Sequence, residues 1–311
     1  DWLDFVVIGI TQGSMYALIA IGYTLVYGVL FMINFAHGEF FMSGIMTATV
    51  FLVIPLNESG FLNEHPIISL TLVALVAVAV SVLVAIFTER IAYRPLRKAP
   101  RLVPLITAIG ASFFLQNYFR GLFGSQVKPF QLVDILKGTV PFLGTEILKT
   151  RLLVIVVTII MLIGLNFFIM HTKTGKSIRA VAEDKDIAAL MGIDVDRTIT
   201  ITFATGAAMA GIAGFLFALV FQQVHFFMGF VPGIKAFTAA VLGGIGSIPG
   251  AAIGGFFLGM IESVGPPLFL EGLGIPSFNQ LKDVIAFTML VLVLIFRPQG
   301  ILGERLSEKK A

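Results

Sequence analysis

Apolar residues run through this chain in long stretches free of Asp, Glu, Lys and Arg, at residues 5–38, 40–57, 65–88, 102–119, 152–172, 198–234 and 236–261. A helix needs about 20 such residues to cross a bilayer, so each stretch predicts a membrane crossing. Stretches 5–38 and 198–234, at 34 and 37 residues, are too long for one helix and predict a break, a turn or a second segment. A last run, Val284 to Phe296, is lengthened by Phe278 to Asp283 into a further span. Barrel strands would alternate polar and apolar positions, whereas these runs are apolar on every face. The pattern predicts an all-α fold, a polytopic transmembrane helical bundle with broken or re-entrant helices. Val231 to Gly265 reads as two short helical pieces around Gly243, Gly244, Gly246, Pro249 and Gly250. They form either a re-entrant hairpin or two full spans, which makes seven or nine crossings.

Composition sharpens this picture. In 311 residues, 57% are hydrophobic and 13% charged, half the charge of an ordinary soluble domain, about 25%. No Pro/Ser-rich linker divides the chain, so residues 1–311 are read as a single domain. The absence of Cys excludes disulfides, thiolate metal sites and cysteine nucleophiles. The net charge of +3 does not point to nucleic acid, because the bases sit in a few connecting segments with little aromatic interleaving. They fall at Arg90, Arg94, Arg97, Lys98 and Arg101, at Lys173, Lys176, Arg179, Lys185 and Arg197, and at Arg297, Arg305, Lys309 and Lys310. The positive-inside rule makes these three segments cytoplasmic. The loops at 55–66 and 265–281, without bases, and the loop from Arg120 to Arg151 then face outward. The N-terminus is expected outside and the C-terminus inside.

Nucleotide and enzyme signatures fail on inspection. Gly175-Lys176-Ser177 imitates the end of a phosphate-binding loop, but Met170 stands where that loop needs Gly. Gly244 and Gly246 imitate a dinucleotide fingerprint, but Pro249 replaces its third Gly. The four His show no i, i+4 pairing, and His37 with Glu39 makes two ligands, too few for a metal site. Gly250 with Gly254, Gly255 with Gly259, and Gly206, Gly211 and Gly214 have the spacing that lets membrane helices approach closely.

Polar residues between apolar runs are the better candidates, since a charge at the bilayer centre costs about 2.5–3.5 kcal/mol. Asn34-Phe35-Ala36-His37-Gly38-Glu39 is either a solvated surface turn or a mid-membrane break lining a water-filled path. Gln116, Asn117, Gln222, Gln223, His225, Lys235 and Glu262 are further candidates. Asn34 to Gly44 finds a faint echo in His225 to Phe237, too weak to establish a repeat. Within the charged segment at about 172–198, Ser177 to Met191 reads as a short amphipathic helix stopped by Gly192. Its mixed charge favours docking to a protein over an anionic lipid surface.

Four motifs carry a family resemblance. Gly13 to Gly28 followed by Ile33 to Glu39, the segment from Thr174 to Ile193, Val241 to Gly250, and Phe296 to Gly303 together resemble LivH-type permeases of branched-chain amino-acid ABC importers. The resemblance implies a permease, not an enzyme, moving branched-chain or similar neutral amino acids by alternating access. It implies a second similar permease, two cytoplasmic ATPases that hold ATP and Mg, and an extracytoplasmic solute-binding protein. This chain is expected to hold no cofactor and to lie in the bacterial inner membrane. Asn34, His37, Gly38, Glu39, Gln116 and Asn117 are expected to line the path. Gly175, Glu183, Ala188, Ala189 and Gly192 are expected to couple it to the ATPases, with Glu183 displaced from the family pattern. Two other functions stay open: a urea or short-chain amide ABC importer permease, and an ion-coupled secondary transporter.

Overall fold

The computed structural model describes residues 2–97, 99–100, 102–142, 145–270, 281–296 and 300–302. The terminal bases from Arg305 on, most of the 265–281 loop, and Arg297, Pro298, Gln299 and Gly303 of the last motif lie outside the described residues. Helices dominate because lipid offers backbone groups no partners, so each segment must bond its own.

In chain order the helices are α1 (Trp2–Leu30), α2 (His37–Ala48), α3 (Ile54–Glu58), α4 (Phe61–Glu64), α5 (Pro66–Thr88), α6 (Leu102–Phe123) and α7 (Lys149–His171). Then follow α8 (Lys173–Glu183), α9 (Lys185–Leu190), α10 (Val195–Phe221), α11 (Phe230–Gly243), α12 (Ile248–Gly265) and α13 (Lys282–Phe296). Wide π turns extend α2 into α3 and α5 toward Leu96. Among the described residues, seven stretches are long and apolar enough to cross a membrane. They are Trp2–Leu30, His37–Glu58, Pro66–Leu96, Leu102–Phe123, Lys149–His171, Val195–Phe221 and Ile248–Leu268. This is a multi-pass helical membrane protein.

Both overlong stretches are broken, at residues 31–36 and 222–229. Each break opens on a non-glycine residue with left-handed backbone, Phe31 at φ 54° and Gln222 at φ 55°. The pieces expected at Val231 to Gly265 are unequal. α11, at 14 residues, is only about 21 Å long, whereas α12 belongs to a spanning stretch. Gly244 at φ 106° and Gly246 at φ 99° turn the chain between them. The Ser247 hydroxyl accepts from the Gly250 N–H and Pro249 opens α12, so α11 and α12 return antiparallel. Residues after α13 close this hairpin: the N–H groups of Ile301 and Leu302 donate to the carbonyls of Leu242 and Gly243. Two of the family motifs, far apart in the chain, therefore meet.

Arg94 and Arg97 of the first basic segment meet the start of α10 at one end of the bundle. There both pair with Asp196, and Arg97 also pairs with buried Glu89. At the opposite end, β1 (Lys128–Pro129) pairs antiparallel with β4 (Gln223–Val224), and β2 (Thr139–Phe142) with β3 (Thr145–Leu148). These short strands sit in the polar connections, where the sequence pattern predicted only loop.

Candidate functional site

The two breaks meet inside the bundle. A Cβ on Gly38 would lie 2.4 Å from the Gly229 carbonyl oxygen, and one on Gly229 2.2 Å from that of Gly38. Neither position has room for a side chain, so the starts of α2 and α11 touch backbone to backbone. Beside this crossing lies a cavity of about 250 Å³, lined by Gly38 and Glu39 of α2, Ile109, Ser112 and Phe113 of α6, and Phe230, Gly233 and Ile234 of α11. Gly229, Tyr23 of α1 and Phe35 of the first break complete the lining. Phe113 and Phe230 are also exposed on the outer surface, so the cavity lies near the edge of the chain between α6 and α11. Tyr23 also lines a smaller pocket of about 10 Å³ with Tyr27, Ile33, Phe237, Ala240 and Ile245.

Among the described residues, Glu39 is the one carboxylate lining the larger cavity. It is 1% exposed; its Oε1 accepts from Gln116 Nε2 at 2.7 Å and from the Ser112 hydroxyl at 3.1 Å, while Oε2 has no partner among the described residues. Ser112 sits near the middle of α6, which places the carboxylate halfway along a spanning helix. The other expected path residues have different tasks. The Asn34 Oδ1 accepts from the Tyr93 hydroxyl at 2.6 Å and from the Ala36 N–H at 3.1 Å, so it shapes the break. The His37 ring fills the space over Gly22 and packs against Phe40 and against the lining residue Tyr23, without lining the cavity itself. Asn117 is exposed and donates to the Phe113 carbonyl of its own helix. Adjacent helical residues point about 100° apart, so Gln116 faces Glu39 and Asn117 does not. Tyr23, Ser112, Gly229 and Gly233 were not picked out from the sequence as site residues. The polar echo at His225 to Phe237 was the available signal for the last two.

The charged segment folds as two helices where one was expected. Asp184 is extended (φ −156°, ψ 117°) and its Oδ1 accepts from the Asp186 and Ile187 N–H groups, ending α8 and capping α9. Gly175 is buried in the corner between α7 and α8, where a Cβ would meet the Ile169 carbonyl oxygen at 2.3 Å. Ile178, Val181 and Ala188 pack inward, and Glu183, Ala189 and Gly192 are exposed. Gly192 at φ 83° turns the chain out of α9. Ile187, Leu190 and Met191 are exposed at 59%, 87% and 77%, an apolar patch at the basic end. Lys185 lies over the Phe31 ring at 5.8 Å, at the start of the first break. Desolvation, helped by the Arg97 charge, holds its pKa below the ordinary lysine value. Among the described residues, no three or more His, Asp or Glu are grouped to hold a metal.

A bundle of apolar helices in which two interrupted segments meet beside a small cavity has the build of a transport permease. Residues 5–294 match the profile of the branched-chain amino acid transport system permease component family, and the chain belongs to that family. It is 44% identical over 313 residues to the high-affinity branched-chain amino acid transport system permease protein BraD of Pseudomonas aeruginosa, covering 99% of this chain and 98% of that one. It is 42% identical over 306 residues to LivH of Escherichia coli K12, the permease protein of the same kind of system, covering 97% and 95%. A probable branched-chain amino acid permease of Methanocaldococcus jannaschii is 27% identical over 303 residues, covering 94% and 90%. No solved structure matches.

Proposed function

We propose that this chain is one of two permease subunits of an ATP-driven importer for branched-chain or similar neutral amino acids in the bacterial inner membrane. The observation that carries this reading is the cavity at the crossed breaks, in a chain similar over nearly its full length to branched-chain amino acid permeases. About 250 Å³ is near the small end of ligand pockets, about 300–1,000 Å³, and suits a compact solute. The apolar lining suits an aliphatic side chain. The second permease covers the α6–α11 side, two ATPases holding ATP and Mg bind at the basic, cytoplasmic end, and a solute-binding protein delivers substrate at the other. The N-terminus of α1 is outside and the chain after α13 is cytoplasmic. Importing against a gradient requires the ATPases to bias inward-facing against outward-facing states. The contact of Lys185 with Phe31 gives α9 a mechanical link to the first break.

Purification of the intact complex, with ATP hydrolysis measured over a panel of neutral amino acids and urea, tests this reading. Leucine, isoleucine and valine are expected to stimulate hydrolysis through the binding protein. Stimulation by urea alone would move the chain to the amide importers, and uptake by the lone chain without ATP would make it a secondary transporter. A second expectation concerns the patch on α9. Leu190→Glu places a charge on a side chain 87% exposed, so stability of this chain should change by no more than about 0.5 kcal/mol. Co-purification with the ATPases should nonetheless be lost, and uptake with it. Normal uptake in this variant would separate the patch from coupling.

A further inference from the structure

Among the groups facing the larger cavity, Glu39 has unused bonding capacity. Its Oε1 is held by Ser112 and Gln116, and its Oε2, in a side chain 1% exposed, has no partner among the described residues. A buried carboxylate oxygen without a donor is costly, and a charged donor gives the strongest remedy. Among the described residues, no Lys, Arg or His lines the cavity; Lys235, next to the lining residue Ile234, is engaged by Glu262 and Asp283. Among the described residues the cavity wall therefore offers Oε2 no charged donor, and a cationic solute would supply one. The rest of the wall, including Phe35, Ile109, Phe113, Phe230 and Ile234, offers apolar contact.

We propose that Glu39 Oε2 is the docking point for the α-ammonium group of the transported amino acid, with its aliphatic side chain against Phe35, Ile109, Phe113, Phe230 and Ile234. This rests on the transport reading above and adds a specificity rule. The permease itself rejects carboxylic acids that lack the amine, independently of the binding protein. Ser112 and Gln116 are positioning residues that fix the carboxylate.

The test uses the intact transporter, with its partner permease, ATPases and binding protein, in proteoliposomes. Glu39→Gln keeps a carbonyl oxygen to accept from Ser112 and Gln116 but places an N–H donor toward the incoming ammonium. Leucine uptake is expected to fall at least about tenfold, the loss of one charge-assisted hydrogen bond, while loaded binding protein still stimulates ATP hydrolysis. Leucine binding to the complex without binding protein supplies a readout that a merely structural role would leave unchanged. In the wild type, 3-methylbutylamine should compete and 4-methylpentanoate, which keeps the carbon skeleton but lacks the amine, should not. In Glu39→Gln that preference should vanish. Wild-type uptake by Glu39→Gln, or equal competition by acid and amine in the wild type, overturns the proposal and leaves the transport reading standing. A wild-type complex that moves no neutral amino acid overturns the transport reading itself, before any substitution is compared.

Discussion

Replacing Gly259 with Leu should abolish the folded permease, although the substitution adds apolar volume in an apolar helix. α1 and α12 pack antiparallel with almost nothing between their backbones. A Cβ on Gly259 would lie 2.2 Å from the Gly13 nitrogen and 2.4 Å from its Cα, and one on Gly255 2.4 Å from the Ala17 Cα. Overpacking a core with a movable neighbour costs about 1–3 kcal/mol. Here the neighbour is main chain, so no rotamer change relieves the clash and the helices must separate. Separation would also pull the Tyr16 hydroxyl from Glu262 and the Ser263 hydroxyl from the Phe5 carbonyl. The cost should therefore exceed that range, and size-exclusion profiles of heated, detergent-solubilised protein should show no monodisperse peak. Gly164→Leu is the control. That glycine lies in α7 with nothing within 4 Å of a built Cβ, and relieving the helical glycine penalty of about 0.8–1 kcal/mol should leave the melting temperature equal or higher. A normal melt for Gly259→Leu would contradict the α1–α12 interface.

These two glycines also mark what the sequence could and could not convey. Both stand in apolar helices, and nothing in their neighbours distinguishes one pressed against another backbone from one facing outward. The breaks were legible because length alone forbids a single helix over 5–38 or 198–234, and polar residues mark where each chain yields. That the breaks meet was not, because the contact of Gly38 with Gly229 joins residues 191 positions apart. Facing was illegible for the same reason in α6: a helix apolar on all sides has no moment to choose between Gln116 and Asn117. In the charged segment a 3.6-residue pattern exists, yet it runs through Asp184, whose competition for backbone N–H groups splits one expected helix into two. The strands β2 and β3 are four residues each, too short for alternation to register.

Lys235 and Glu262 were candidates of uncertain depth in the sequence, and their placement leads to the second large expected effect. Lys235 Nζ is 3.0 Å from Glu262 Oε1 and 2.6 Å from Asp283 Oδ1, and the Tyr16 hydroxyl donates to Glu262 Oε2 at 2.9 Å. One ionic cluster thus ties α11 to α12, α13 and α1, directly behind the cavity wall formed by Gly233 and Ile234. Lys235→Met would leave Glu262, only 2% exposed, as a buried charge with a single hydroxyl partner. Breaking such a pair from one side costs about 3–5 kcal/mol, so the variant should melt far below the wild type. Asp283 contributes less to that loss because its side chain is 55% exposed and is solvated without help. Adding Glu262→Gln removes the orphaned charge, and Tyr16 still has an amide oxygen to bond. The double variant Lys235→Met/Glu262→Gln should therefore recover at least half of the lost stability, since replacing both members of a buried pair is often neutral. If Lys235→Met alone melts like the wild type, Glu262 does not depend on the lysine and the cluster does not hold α11 in place.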